Sequence, residues 1–242
     1  MDIIANYGNV LLILAIVFGT FMAWGIGAKD VANAMGTSVG SGAVTIKQAI
    51  IIAVIFEFAG AILAGGEVTA TIRKGILDAE LFTNDPHLLV YGMMASLLAA
   101  GSWLLIASSL GWPVSTTHSI VGAIVGFGAV GVGIDAVAWS KVFQIIISWI
   151  ASPVLAGIIS FILFRSLQNL IIDTQNPFDN AKKYVPYYMF LVGFVVSLVT
   201  IFKGLKHVGL SFSTSSSYLL ALGSGLLVAI IGTLMIRNIH LN

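Results

Sequence analysis

The sequence predicts an all-α integral membrane protein with about seven membrane segments, some of them broken or re-entrant, on three grounds. Of its 242 residues 58% are hydrophobic and 9% charged, at a mean hydropathy of +1.04, where a soluble domain carries about 25% charged residues. The charges gather in short intervals between long uncharged stretches, and a hydrocarbon core ~30 Å thick needs about 20 apolar residues of helix to cross it. No stretch alternates apolar and polar residues as a barrel strand does, so the backbone has to satisfy its own hydrogen bonds in helices.

The same composition excludes other classes. Eleven Lys+Arg against ten Asp+Glu give a net charge of +1, too little to follow a nucleic-acid backbone. With no cysteine, a disulfide scaffold, a thiol nucleophile, an iron–sulfur cluster and a cysteine-based zinc site drop out.

Residues 3–28 form the first uncharged stretch. Met1 and Asp2 offer no positive region ahead of it, so a retained span is expected and not a signal peptide. A second span over 46–66 carries Lys47 near its start and Glu57 at mid-depth, and 67–85 is expected as a polar connection with Arg73, Lys74, Asp78 and Glu80. Residues 86–134 hold no formal charge and suffice for two spans, with a turn at 108–113 where Ser, Gly and Pro cluster. A span at 142–164 precedes the most polar linker, 165–183, with N-P-F-D-N at 176–180 as a turn cluster; spans at 184–202 and 217–236 complete the chain. The expected organisation is an N-terminal repeat over 1–164, a linker over 165–185 and two further helices over 186–242. If every span crosses, the basic residues divide six to five between the two sides, so charge leaves the orientation open.

Two polar breaks interrupt the apolar sequence. The first, at 25–42, sets one Lys29–Asp30 pair among Ala, Val, Met and small hydroxyl residues, as where a helix breaks inside the membrane and lines a cavity. Asp30, Asn33 and Thr37 stand at i, i+3 and i+7, one face of any helix formed there. Their carboxylate, amide and hydroxyl oxygens suit a hard cation. A short, partly solvated interfacial loop is the plainer reading of the same residues.

The second break, G-W-P-V-S-T-T-H-S at 111–119, has a proline followed by hydroxyl residues, the mark of a helix start. At mid-membrane the free N–H groups and positive dipole end of such a start attract an anion. Hydroxyls bonding across packed helices would explain the residues without a ligand. Glu57, between Phe56 and Phe58, is a carboxylate whose placement at a helix centre costs at least about 2.5 kcal/mol. It reads as a functional group or as the structural partner of Lys29 or Lys47. His118, beside Thr117 and Ser119, reads either as a proton carrier or, more simply, as a hydrogen-bonded structural group.

Other patterns carry less. G-F-G-A-V-G at 126–131 spells a dinucleotide fingerprint, but no strand precedes it and no acidic residue follows about 20 positions on. Gly122 with Gly126, and Gly36 with Gly40, suit close helix packing. No G-x-x-x-x-G-K-[ST] occurs, so ATP has no carrier in this chain, and the polar residues form ligand-type clusters without a nucleophile–base pair. An enzyme is not expected.

Taken together, these residues resemble a known family. The run G-A-K-D-V-A-N-A-M-G-T-S-V-G-S-G-A-V-T over 27–45 is similar to the G-A-N-D-V-A-N signature of the inorganic phosphate transporter (PiT) family, the ion-coupled phosphate permeases. I-F-E at 55–57, T-I-R-K-G-I at 71–76 and P-V-S-T-T-H at 113–118 agree with it in order. The resemblance implies transport of inorganic phosphate through the lipid bilayer of a plasma (inner) membrane, coupled to a cation gradient and without a prosthetic group. It places cation and phosphate near Asp30 and Asn33, and phosphate at Ser115, Thr116 and Thr117. The P-V-S-T-T-H form is nearer the sodium-coupled branch, which implies sodium in place of a proton as the coupling ion, held at Asp30 and Asn33 with Glu57 as a further coupling-ion group.

Two departures stand out. Lys29 occupies the place of the family's first Asn, where it could pair with Asp30 and displace a cation, or add attraction for phosphate. The family carries its signature twice, once in each of two inverted halves, and this chain holds one copy, since after Arg165 no Asn stands in a G-x-N-D-like context. The chain thus resembles the amino-terminal half of a permease, a truncated or split gene product expected to need a separate C-terminal-half polypeptide or a homodimer with an oppositely inserted copy. A transport-inactive membrane subunit or remnant of a permease is the other reading.

Overall fold

Seven helices carry the described chain of this computed structural model. They are α1 (Ile3–Gly40), α2 (Ile46–Gly75), α3 (Pro86–Ser109), α4 (Thr116–Phe127), α5 (Trp139–Leu167), α6 (Pro177–Val199) and α7 (Thr214–Arg237). The structure describes residues 3–77, 82–83, 85–205, 209–210, 212–237 and 239, with backbone alone at 3–6, 64 and 67–74. Among the described residues six stretches are long and apolar enough to cross a membrane, and a seventh, Thr116–Val132, is shorter. Among the described residues the only β-pairing is an isolated antiparallel bridge between Leu77 and Val137.

Local chemistry sets most of the ends. Thr45 caps α2 through a capping box with Gln48: the Thr45 hydroxyl accepts from the Gln48 N–H and the Gln48 side chain accepts from the Thr45 N–H. Pro86 and Pro177 open α3 and α6 at the first turn, where a missing N–H costs nothing. Gly42 and Gly111, at φ +75° and +69°, turn the chain after α1 and α3 through the left-handed region that glycine enters without a Cβ clash. Three helices run on into π turns, at Gly128–Val132 after α4, Gln168–Ile172 after α5 and Thr200–Leu205 after α6.

Three expectations need correction. The first polar break does not break the helix: α1 is continuous through residues 25–40. It contains no proline, and Gly25 serves packing, since a Cβ there would lie 3.2 Å from the Leu104 Cβ. The polar connection expected at 67–85 begins later, because α2 runs on to Gly75. The side chains of Thr71, Arg73 and Lys74, and Asp78 and Glu80 altogether, lie outside the described residues. The linker at 165–185 is helical except at its centre, being the end of α5, a π turn and the start of α6. Its N-P-F-D-N cluster is a helix start, with Asn176 at the cap and Pro177 in the first turn. Charged side chains such as Arg165, Lys182 and Lys183 are good helix formers, so charge does not mark the helix limit.

The chain divides into two compact units, Met1–Ala59 with Val68–Gln144, and Gly60–Glu67 with Ile145–Asn242. In the first unit α3 packs between α1 and α4, burying Met22, Ala100, Leu104, Ala107, Val121 and Ile124. Phe82 and Phe127 meet at 6.1 Å between ring centroids, and the Ala138 N–H donates to the Ile76 carbonyl at 2.9 Å beside the Leu77–Val137 bridge. In the second unit α6 and α7 pack along glycines: a Cβ on Gly225 would lie 3.0 Å from the Phe190 carbonyl oxygen, and one on Gly193 3.0 Å from Val228. Such close approach is how helices associate in lipid, where apolar burial alone gives no driving force. Ser166 and Tyr188 share a 2.6 Å hydrogen bond that ties α5 to α6.

Candidate ion and phosphate site

The first unit brings the two signature segments together. α3 ends at Ser109, the Trp112 N–H donates back to the Ala107 carbonyl at 2.8 Å, and residues 112–115 run non-helical before α4 begins. Ser115 is the N-cap of α4, its hydroxyl accepting from the His118 N–H at 3.3 Å, while the Ser119 hydroxyl donates to the Ser115 carbonyl at 2.7 Å. The second sequence break is therefore a helix start, as its Pro and hydroxyl residues indicate. Of the first turn's orphan N–H groups only that of His118 is capped by Ser115.

α1 passes beside this start. Met22, Ile26 and Asp30, at four-residue spacing, form one column facing α4. Met22, Ile26, Thr116, Thr117, Ile120 and Ile124 contribute to an apolar cavity of about 340 Å³, and at its polar end the Thr116 hydroxyl donates to the Asp30 carboxylate at 3.2 Å. About 100° around α1 from Asp30, Lys29 Nζ donates to the Trp112 carbonyl. Lys29 and Asn33 line a second cavity, about 240 Å³, with Ala28, Ala32, Ser108, Gly111, Trp112 and Pro113. A third, about 340 Å³, is walled by Trp103, Pro113, Val114, Ser115, His118 and Ser119.

Most of the expected site residues thus converge on one junction. Asp30 and Thr116 are hydrogen-bonded, Lys29 and Asn33 share a cavity with the loop before α4, and Thr117 shares one with Thr116. Ser115 faces a different cavity from Thr117, together with His118, so the Ser-Thr-Thr triplet divides its hydroxyls between two sides of the helix start. The cavity of Ser115, His118 and Ser119 is the more polar of the two, and hydroxyl donors there suit an oxyanion better than the Met- and Ile-lined one does.

Glu57 stands apart. It is exposed on α2 between Phe56 and Phe58, which are 71% and 69% exposed, and joins none of the hydrogen bonds at this junction. Neither Lys29 nor Lys47 pairs with it among the described residues; Lys29 is engaged with Trp112 instead. Lys29 and Asp30 likewise form no pair with each other among the described residues, because neighbours on a helix point about 100° apart.

Trp112 is the contributor that sequence reasoning missed. Its role comes through a backbone carbonyl, which no side-chain pattern encodes, although the proline at 113 signals a carbonyl left outside the helices.

Comparison with known proteins bears on the family and the fold. Residues 26–231 match the model of the phosphate transporter family. A Haemophilus influenzae protein assigned as a phosphate permease is 53% identical over 227 residues, which cover 94% of this chain and 54% of that one. The chloroplastic inorganic phosphate transporter 2-1 of Arabidopsis thaliana is 48% identical over 183 residues, 76% of this chain and 31% of its own. A solved structure described as the sodium-dependent phosphate transporter superposes with a TM-score of 0.87 at 40% identity, covering 96% of this chain and 57% of that one. The chain spans about half the length of the Haemophilus relative and of the solved structure. With its apolar helices meeting at a start capped by Ser115 and bonded to Asp30, this multi-pass integral membrane protein belongs to the phosphate transporter family.

Proposed function

We propose that the chain forms one half of an inorganic phosphate permease of the plasma (inner) membrane, driven by a cation gradient, with sodium as the coupling ion. The Thr116–Asp30 hydrogen bond carries this reading, because it joins the helix start suited to an anion to the carboxylate suited to a cation. Binding both at one junction is the minimum that symport requires, since each ligand then raises the affinity of the other. Asn33 adds an amide oxygen for the cation, Ser115 and Thr117 add hydroxyl donors for phosphate, and Glu57 supplies a second coupling carboxylate from α2. The description of the solved relative as sodium-dependent supports sodium over a proton. All these groups lie within residues 1–164, the expected signature-bearing repeat.

The other half of the carrier is a C-terminal-half polypeptide or a second copy of this chain. Co-expression with the C-terminal half of the Haemophilus relative, followed by uptake of labelled phosphate under an inward sodium gradient, tests the assignment. Sodium-dependent accumulation above that of either half alone is expected; none, with both halves inserted, overturns it. A second reading is a membrane subunit that retains the fold without transporting. That reading predicts phosphate binding without accumulation in the same assay.

A further inference from the structure

The Lys29 side chain ends on a backbone carbonyl, that of Trp112. Beyond α3 the Trp112 carbonyl lies outside the helical hydrogen-bond ladder, since residues 112–115 are non-helical and Trp112 precedes a proline. Freed carbonyls of this kind, with nearby amide and hydroxyl oxygens, are what alkali cations take in broken-helix carriers. Asn33 and Ser108, which share the roughly 240 Å³ cavity with Trp112, supply such oxygens, and Asp30 places a carboxylate on the adjoining face of α1. The occupant of that carbonyl is the Lys29 ammonium, a compact cation with three donors on a flexible four-carbon stem.

Resting on the permease reading, we infer that Lys29 is a tethered cation that fills one coupling-ion position of this carrier, at the Trp112 carbonyl beside Asn33. A fixed ammonium there repels a free cation from the same oxygens, so the carrier runs with one sodium ion fewer per cycle than a form with a neutral residue at 29.

Sodium binding to the purified full chain in detergent tests the inference without requiring transport. Wild type, Lys29→Asn, Lys29→Gln and Lys29→Arg are titrated with labelled sodium at constant ionic strength set by choline chloride, and melting temperatures are recorded alongside. The Asn and Gln forms are expected to bind sodium about tenfold more tightly than wild type, equivalent to about 1.4 kcal/mol, and Arg is expected to behave as wild type. If both neutral forms keep the wild-type sodium affinity, or lose stability with no sodium-specific gain, Lys29 is only a clamp on the loop and the inference is overturned. A parallel titration with inorganic phosphate separates the two ideas: loss of phosphate binding in every form would sink the permease reading while leaving the sodium comparison to decide the role of Lys29.

Discussion

At Asp30 a carboxylate accepts a hydroxyl donor from Thr116, and the proposed function asks the same group to hold a cation. Replacing it by Asn keeps the size and an acceptor oxygen but removes the charge. Phosphate uptake by the two co-expressed halves should then lose its sodium dependence while insertion is unaffected, and full sodium-dependent activity in Asp30→Asn would show that the coupling lies elsewhere. The hydroxyls of Ser115 and Thr117 are expected to act on phosphate. Each hydrogen bond to a charged oxyanion is worth about 1.5–3 kcal/mol, so alanine at either should raise the apparent KM for phosphate by about tenfold or more. Ser115→Ala should in addition cost about 1 kcal/mol of α4 stability through the lost cap; an unchanged KM in both variants would reduce the triplet to packing. The residue types were legible in the sequence because carboxylates and clustered hydroxyls are rare in apolar helices. Their partners were not: the Asp30–Thr116 and Lys29–Trp112 bonds join groups more than eighty positions apart, and only packing of α1 against α3 and α4 brings them together.

Among the elements, spans were easier to read than ends. The uncharged stretches at 86–134 and 142–164 correspond to α3, α4 and α5 because length and apolarity decide what a membrane accepts. Residues 25–40 were misread as a break because small and polar residues carry the same composition whether they loosen a helix or let a neighbour approach it. Contact settles which, and Gly25 lies against Leu104. The same distinction makes a test in the second unit. Gly225→Ala pushes a methyl against the Phe190 carbonyl oxygen, whereas Gly223→Ala on the same helix meets nothing within 4 Å. Overpacking of this kind costs about 1–3 kcal/mol, so Gly225→Ala should lower the melting temperature in detergent. Gly223→Ala should leave it unchanged or raise it slightly, as alanine favours a helix by about 1 kcal/mol over glycine; equal effects would mean that α6 and α7 do not meet as described.

For the whole molecule the exposed faces are as informative as the buried ones. Phe56 and Phe58 suit lipid, but Glu57 between them does not, and α2 leaves all three exposed. Purified alone and reconstituted as a monomer, the chain should show no phosphate counterflow. Robust sodium-driven uptake by a demonstrated monomer would refute the need for another half. The lengths of α1 and α4 have a consequence of a different kind. At 38 residues α1 is about 57 Å long, more than a bilayer core needs, while α4 with the π turn that continues it, Thr116–Val132, reaches about 25 Å, short of the ~30 Å core. A helix that spans answers to acyl-chain length by tilting or sliding; one that does not span has nothing to match. Bilayer thickness therefore bears on α1 and not on α4, and the Asp30–Thr116 hydrogen bond is the contact that joins the helix that has a thickness to match to the one that has none.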